Sequence, residues 1–185
     1  DVNGDGVADY NDEVYMGSAL PFCSGGMVSE FRWKNLDLSF SMAYQLGRHM
    51  INGLPLKYFN VGADAFVMDV GHTKFWEQPG DDDADYPSWQ YAGNSYHFYN
   101  RVDRYVEKVN WLKLKTLTVG YTLPQKWMKK VGIKEFRVFA SGENLFTWDN
   151  YSGLDPETVN ITSGYDNGTN YPLARKLTLG LTVKF

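Results

Sequence analysis

The residues best suited to chemistry open the chain: Asp1 to Glu13 read DVNGDGVADYNDE. Calcium takes hard oxygen ligands, and a 12-residue loop supplies them at positions 1, 3, 5, 7, 9 and 12, with glycine at 6 for the turn. Here those positions are Asp1, Asn3, Asp5, the Val7 carbonyl, Asp9 and Asp12, with Gly6 at the turn. Position 12 is aspartate rather than the bidentate glutamate of helix-loop-helix sensors, closer to a dockerin-type repeat. The residues that follow, EVYMGSALP, meet Gly17 and Pro21 at once and supply no amphipathic exit helix. The stretch reads as a structural Ca2+ loop rather than a sensor, or equally as an Asp/Asn/Gly turn whose carboxylates cap local amides.

Other chemically capable residues are less organised. Asp81, Asp82, Asp83 and Asp85 form an acidic run that suits a cation or, as a solvated loop tip, water. His49, His72 and His97 lack the spacing of a metal-binding helix, and no nucleophile motif accompanies them. A glycosidase pair needs two carboxylates at a set separation, which sequence does not place. The chain is therefore expected not to be an enzyme. Cys23 is the lone cysteine, leaving no internal disulfide and no cysteine metal cluster. A net charge of −4 argues against nucleic acid as a partner.

The elements that must position these residues are strands. In RKLTLGLTVKF, Leu177, Leu179, Leu181, Val183 and Phe185 share one face and Lys176, Thr178, Gly180, Thr182 and Lys184 the other. LDLSFSMAYQL sets Leu36, Leu38, Phe40, Met42, Tyr44 and Leu46 against Asp37, Ser39, Ser41, Ala43 and Gln45. EFRVFASGENLF and GMVSEFRW alternate more weakly. WLKLKTLTVGYTL slips phase: Leu112 and Leu114 lie on one parity, Leu117, Val119 and Tyr121 on the other. Either a bulge near Lys115 or Thr116, or a strand covered at one end on its inner side, accounts for the slip. Five strands are expected, roughly over 26–34, 36–47, 110–122, 135–146 and 175–185.

The connections alternate in length. A two-residue KN turn joins the first two strands and PQKWMKKVGI, with one helical turn, joins the third and fourth. By contrast 48–109 and 147–174 are long. Short turns at one end and long loops at the other is the pattern of a transmembrane β-barrel. Aromatic residues make up 16% of the chain, and Trp33, Tyr44, Trp111, Tyr121, Trp127, Phe146 and Trp148 fall near strand ends, as an interfacial girdle would. Five strands do not close a barrel, and an open sheet in lipid leaves unpaired edges. Asp1 already occupies the first ligand position of its loop. The chain is therefore expected to be a piece of a longer protein.

At this point WLKLKTLTVGYTLPQKWMKKVGIKEFRVFASGENLFTWDNYSGLDPE resembles the C-terminal barrel region of SusC/RagA-family TonB-dependent transporters. LKLKTLTVGYTLP, FRVFASGENLFTW and YSGLDPE carry the likeness. DVNGDGVADYNDEVYMGSALP resembles the loop that family carries upstream, LARKLTLGLTVKF its final strand, and KFWEQPGDDDADYPSW loosely its external loop. The resemblance implies an all-β fold: antiparallel transmembrane strands, about the last five of a 22-stranded outer-membrane barrel. It implies a plug, outside these 185 residues, through which the TonB complex would act. A SusD-like surface lipoprotein would serve as lid, outer-membrane lipid would surround the wall, and oligosaccharide or peptide would be the cargo.

The same resemblance implies site residues. The stripe Leu177, Leu179, Leu181, Val183 and Phe185 resembles the C-terminal signal read by outer-membrane assembly machinery. With the C-terminus periplasmic, the loop over 1–25 and the connections 48–109 and 147–174 are all extracellular. Their aromatic side chains Trp76, Trp89, Tyr91, Tyr96, Tyr99, Tyr151 and Tyr165 are then candidates to stack on sugar faces. The alternative reading is a secreted, calcium-stapled β-sandwich that binds carbohydrate.

Overall fold

The computed structural model describes residues 2–6, 10–55, 74–84, 88 and 103–185. Five long strands build one antiparallel sheet: β1 (Cys23–Trp33), β2 (Leu36–Asn52), β3 (Val106–Thr122), β4 (Glu135–Asp149) and β6 (Lys176–Lys184). They lie side by side in chain order, and the two-residue β5 (Tyr165–Asp166) adds parallel to the far end of β2. A short helix α1 (Gln125–Met128) and a 3-10 turn (Lys129–Val131) fill the β3–β4 connection, which ends on Gly132 at φ 72°. Among the described residues there is one sheet and no second sheet against it. No helix among them is long and apolar enough to cross a membrane.

The register explains the sequence alternation. Directly paired residues share a face, so Leu38 with Val119, Phe40 with Leu117, Val138 with Leu181 and Ala140 with Leu179 extend a single apolar surface across the sheet. That surface is open: Leu179 is 84% exposed and Trp33 69%. A contiguous apolar face of this size is not left to water. Its counterpart carries Asp37, Ser39, Ser41, Thr116, Thr118, Arg137, Ser141 and Thr182, cross-linked by side-chain hydrogen bonds between Ser41 and Thr116 (2.6 Å) and Thr118 and Ser141 (2.8 Å).

The phase slip in the third strand is a bulge. Ser41 pairs with Thr116 and Met42 with Leu114, leaving Lys115 unmatched. On the other side Leu114 pairs with Phe146 and Thr116 with Glu143, leaving Asn144 and Leu145 over. Asn144 takes φ 51°, a conformation asparagine tolerates better than most residues. The extra residues restore parity, so Leu112, Leu114, Leu117, Val119 and Tyr121 all reach the apolar face.

The strands are longer than the alternation suggested. β2 and β3 each run 17 residues, where about 9–11 tilted residues cross a bilayer. Alternation marks only the part whose two faces differ in polarity. The extensions, 48–52 and 106–109, bury their inner face under a loop and so lose the pattern. A second irregularity, between Gln45 and Arg48, places Gly47 at φ 70° where the extension begins.

At the turn end the polar face is tied by an ion pair that crosses a whole strand. Arg137 on β4 donates from Nε (3.1 Å) and Nη2 (2.5 Å) to the Asp37 carboxylate on β2. Gly120 on β3 lies beneath the pair, and a Cβ there would fall 2.5 Å from Asp37 Oδ2. Gly120→Val is therefore expected to destabilise the intact barrel by about 1–3 kcal/mol through overpacking, read as a lowered urea midpoint. The cost should largely vanish in an Asp37→Ala background. An equal cost in both backgrounds would show that the ion pair is not what Gly120 accommodates.

Candidate functional site

The one buried hydrophobic cluster among the described residues does not lie under the sheet's apolar face. It lies on the polar side, at the loop end, where Met50 of β2 and Val109 and Trp111 of β3 meet Tyr151 and Val159 from the β4–β6 connection. Trp111 is 4% exposed here. It is thus a core residue rather than part of the aromatic girdle, because its parity points it inward under the loop. Trp33, Tyr121, Phe146 and Trp148 do sit on the open apolar face.

Charged anchors hold the loop down. Lys113, 1% exposed, places Nζ 3.0 Å from Asp155 Oδ1 and 2.8 Å from Glu157 Oε2. Lys115 Nζ lies 2.5 Å from Glu157 Oε1. Two residues apart on one strand, both lysines face the same side, and Glu157 bridges them. Burial alone pushes the Glu157 carboxyl up, but the two ammonium groups outweigh it and hold it below the usual glutamate range. Asp155 also accepts the backbone amides of Glu157 (3.0 Å) and Leu173 (3.2 Å), so one carboxylate fixes both ends of the loop.

Arg48 is equally buried and is satisfied by carbonyls. Its Nε donates to the Ala19 carbonyl (2.8 Å), and its Nη2 to those of Val159 (3.2 Å) and Asn160. It joins the segment before β1, the extension of β2 and the far loop. Glu107 on β3 accepts from Asn52 Nδ2 (3.2 Å), from the Ser152 amide (2.9 Å) and from the Ser152 hydroxyl. Asn150 continues the ladder past the end of β4: its Oδ1 accepts from the Asn110 amide (2.7 Å) and its Nδ2 donates to the Lys108 carbonyl (3.0 Å).

These contacts give YSGLDPE a physical meaning. Tyr151 is 7% exposed, and its hydroxyl donates to Asp166 Oδ2 at 2.6 Å. Desolvation, then that hydrogen bond, raises its phenol pKa. Its ring is consumed by packing, so it offers no face to a sugar. Gly153 lies against that ring, where a Cβ would collide. Asp155 and Glu157 meet the lysines, and Pro156 is fully buried between them. Sequence reasoning missed Arg48, Glu107, Asn52, Lys113 and Asp155. The usable signal was the pair of lysines astride the phase slip, with two acids spaced alike in the next connection.

The remaining candidates divide. Tyr165 is part-exposed in the same loop, and Trp76 is part-exposed in the segment 74–84. Trp89, Tyr91, Tyr96 and Tyr99 lie outside the described residues. Of the opening loop, Asp1, Val7 and Asp9 also lie outside them. Asp12 Oδ1 accepts the amides of Val2 (2.8 Å) and Asn3 (3.3 Å), and Asn3 Oδ1 accepts that of Asp5 (2.9 Å). Asn3 and Asp12 thus cap local backbone, Asp5 Oδ2 accepts from Asn3 Nδ2 (3.1 Å), and no cluster suited to a metal forms among the described residues. In the acidic run, Asp81 Oδ2 caps the amides of Glu77 and Gln78, Asp83 pairs with Lys74 at the surface, and Asp85 lies outside the described residues.

Two outcomes follow for the docked loop. Lys113→Met leaves Asp155 and Glu157 buried without their cation. It should cost about 3–5 kcal/mol, seen as faster protease cleavage within 150–175 of the intact protein. Because the Glu157 carboxyl is depressed in the folded state, its contribution is complete above its unfolded value and lost as pH falls through the folded one. Protection should therefore weaken below about pH 4 and be flat from pH 6 to 8. In Glu157→Gln the acid-induced loss should shrink.

No family model matches the chain. It is 33% identical over its whole length to TonB-dependent receptor P26 of Formosa agariphila, covering 19% of that protein. It is 26% identical to TonB-dependent receptor SusC of Bacteroides thetaiotaomicron, again over its whole length and 17% of that protein. The fold superposes on the RagAB peptide importer in its open-open state with a TM-score of 0.68 and 26% identity, over 91% of this chain and 18% of that one. The chain thus spans about a fifth of the length of the relatives it matches. A sheet of paired strands, apolar on one face and loop-covered on the other, thus matches a partial, C-terminal barrel segment of TonB-dependent receptors, SusC and the RagAB importer among them.

Proposed function

We propose that these residues form wall and external loops of an outer-membrane importer that takes up oligosaccharides or peptides with a SusD-like surface lipoprotein, driven through TonB. The observation that carries this reading is the two-faced sheet. An open apolar surface spans five hydrogen-bonded strands, while charge, buried packing and the anchored loop are confined to the opposite side. An import wall needs that division, with lipid outside and a polar path inside.

In this reading the hairpin turn and α1 face the periplasm, and the long connections stand outside the cell. The extensions of β2 and β3 rise past the hydrocarbon and carry the β4–β6 connection as a stiff platform. Tyr171, Leu154 and Ile161 project from that platform, with Tyr171 92% exposed. Side chains of this kind on a rigid base suit a lid that closes and reopens. The relatives are named as receptors and the structural neighbour as a peptide importer, which supports transport rather than catalysis.

Deletion of the gene encoding the intact receptor should abolish growth on either one class of oligosaccharide or on peptides as sole nutrient, with restoration by the unaltered gene. Replacing Tyr171, Leu154 and Ile161 together by alanine should lower uptake at least tenfold at low substrate without lowering the amount in the outer membrane. Undiminished growth of the deletion strain on all such nutrients would overturn the transport reading. Undiminished uptake by the triple variant would overturn the role of the platform.

A further inference from the structure

The turn end of the sheet is basic, although the chain as a whole carries −4. Residues 31–37, 122–137 and 184 contain eight lysines and arginines against two acids, Asp37 and Glu135. Both acids are engaged, Asp37 with Arg137 and Glu135 with Lys184 at 2.7 Å. Lys34, Lys126, Lys129, Lys130 and Lys134 make no ion pair among the described residues. The turns that carry them are fixed to each other. Asn35 Nδ2 donates to the Thr122 carbonyl (2.6 Å), the Thr122 amide to the Asn35 carbonyl (2.8 Å), and the Lys134 amide to the Lys184 carbonyl (2.8 Å). Together these turns border an open concavity of about 780 Å3 lined by Arg32, Lys34, Lys134 and Lys184 among others.

Exposed tryptophans stand among these cations. Trp33 ends the apolar face, and the Lys34 ammonium lies 4.8 Å from its ring centroid. Trp127 is exposed on α1, between Lys126 and Lys129. Indole rings settle where hydrocarbon meets headgroups, and lysines next to them attract anionic lipid. The apolar face runs directly from Trp33 and Tyr121 into Leu36, Leu38 and Val119. The cations therefore stand at the headgroup level. An acidic soluble protein would need no tryptophans there.

Resting on the barrel reading above, we infer that this rim binds the phosphate groups of anionic glycerophospholipids in the leaflet at the turn end, with Lys126, Lys129 and Lys130 as principal contacts. Each neutralised lysine should weaken binding about five-fold. The test uses the intact receptor, delipidated in neutral detergent and titrated with phosphatidylglycerol or phosphatidylcholine, with bound lipid counted by native mass spectrometry. Phosphatidylglycerol should bind preferentially and be displaced by salt. K126Q/K129Q/K130Q should raise its Kd about a hundred-fold and leave phosphatidylcholine unchanged. The salt response of the unaltered receptor gives a readout that does not depend on the variant folding. Equal binding of the two lipids, or an unchanged Kd in the variant, overturns the lipid site. Equal occupancy by free glycerol phosphate overturns it in favour of a small-anion site. Loss of a co-purifying acidic protein with no change in lipid overturns it in favour of a protein partner. A receptor recovered from the soluble fraction without detergent would instead refute the barrel reading itself.

Discussion

The unmatched residue Lys115 is the joint on which the two halves of this structure depend. A strand of strict alternation cannot send Leu112 and Leu114 to the same face as Leu117, Val119 and Tyr121. One extra residue on β3, answered by two on β4, makes it possible. Lys113 and Lys115, two residues apart, face the polar side together just before the shift, and Glu157 spans both. A single irregularity thus keeps the outer surface continuously apolar, right beside the cations that hold the loop within.

The loop's packing follows from the cost of burying charge. A lysine as enclosed as Lys113 is tolerated only with an anion at hydrogen-bond distance, and it has two. Arg48 solves the same problem through backbone carbonyls, which the loop must present in a fixed conformation. Between these anchors, Tyr151 and Val159 cover Met50, Val109 and Trp111. The result is a small buried core set at the loop end of the sheet. This also explains why β2 and β3 outrun a bilayer: their far ends belong to that core.

Charge is sorted along the strands as well as across the sheet. The loop end carries the acidic opening segment and the run at Asp81, while the turn end carries surplus lysine beside exposed tryptophan. Glycines serve the same order. Gly120 clears the path of the Asp37–Arg137 pair, and Gly180 lies beneath the Phe139 ring that Arg137 also approaches. At both positions a neighbour's side chain occupies the space a Cβ would take.

The sequence by itself determined the strand order, the polarity of each face, the single helical turn before Gly132 and the family likeness. All of these are local or periodic, and a two-residue period survives wherever one side meets lipid and the other does not. It also located the bulge, though without separating it from a covered strand end; both in fact occur. Only the tertiary structure decided what the inward residues do. Trp111 and Tyr151 read as girdle and sugar platform because aromatic type is visible in sequence while burial is not. The partners of Arg48 lie more than a hundred residues away in one direction and about thirty in the other, and Asp155, which meets Lys113, lies 42 away from it. No periodicity links such positions, because a loop's register on a sheet is set by which charges it neutralises. In the opening loop, whose oxygens fit a calcium pattern, Asn3 and Asp12 accept local backbone amides.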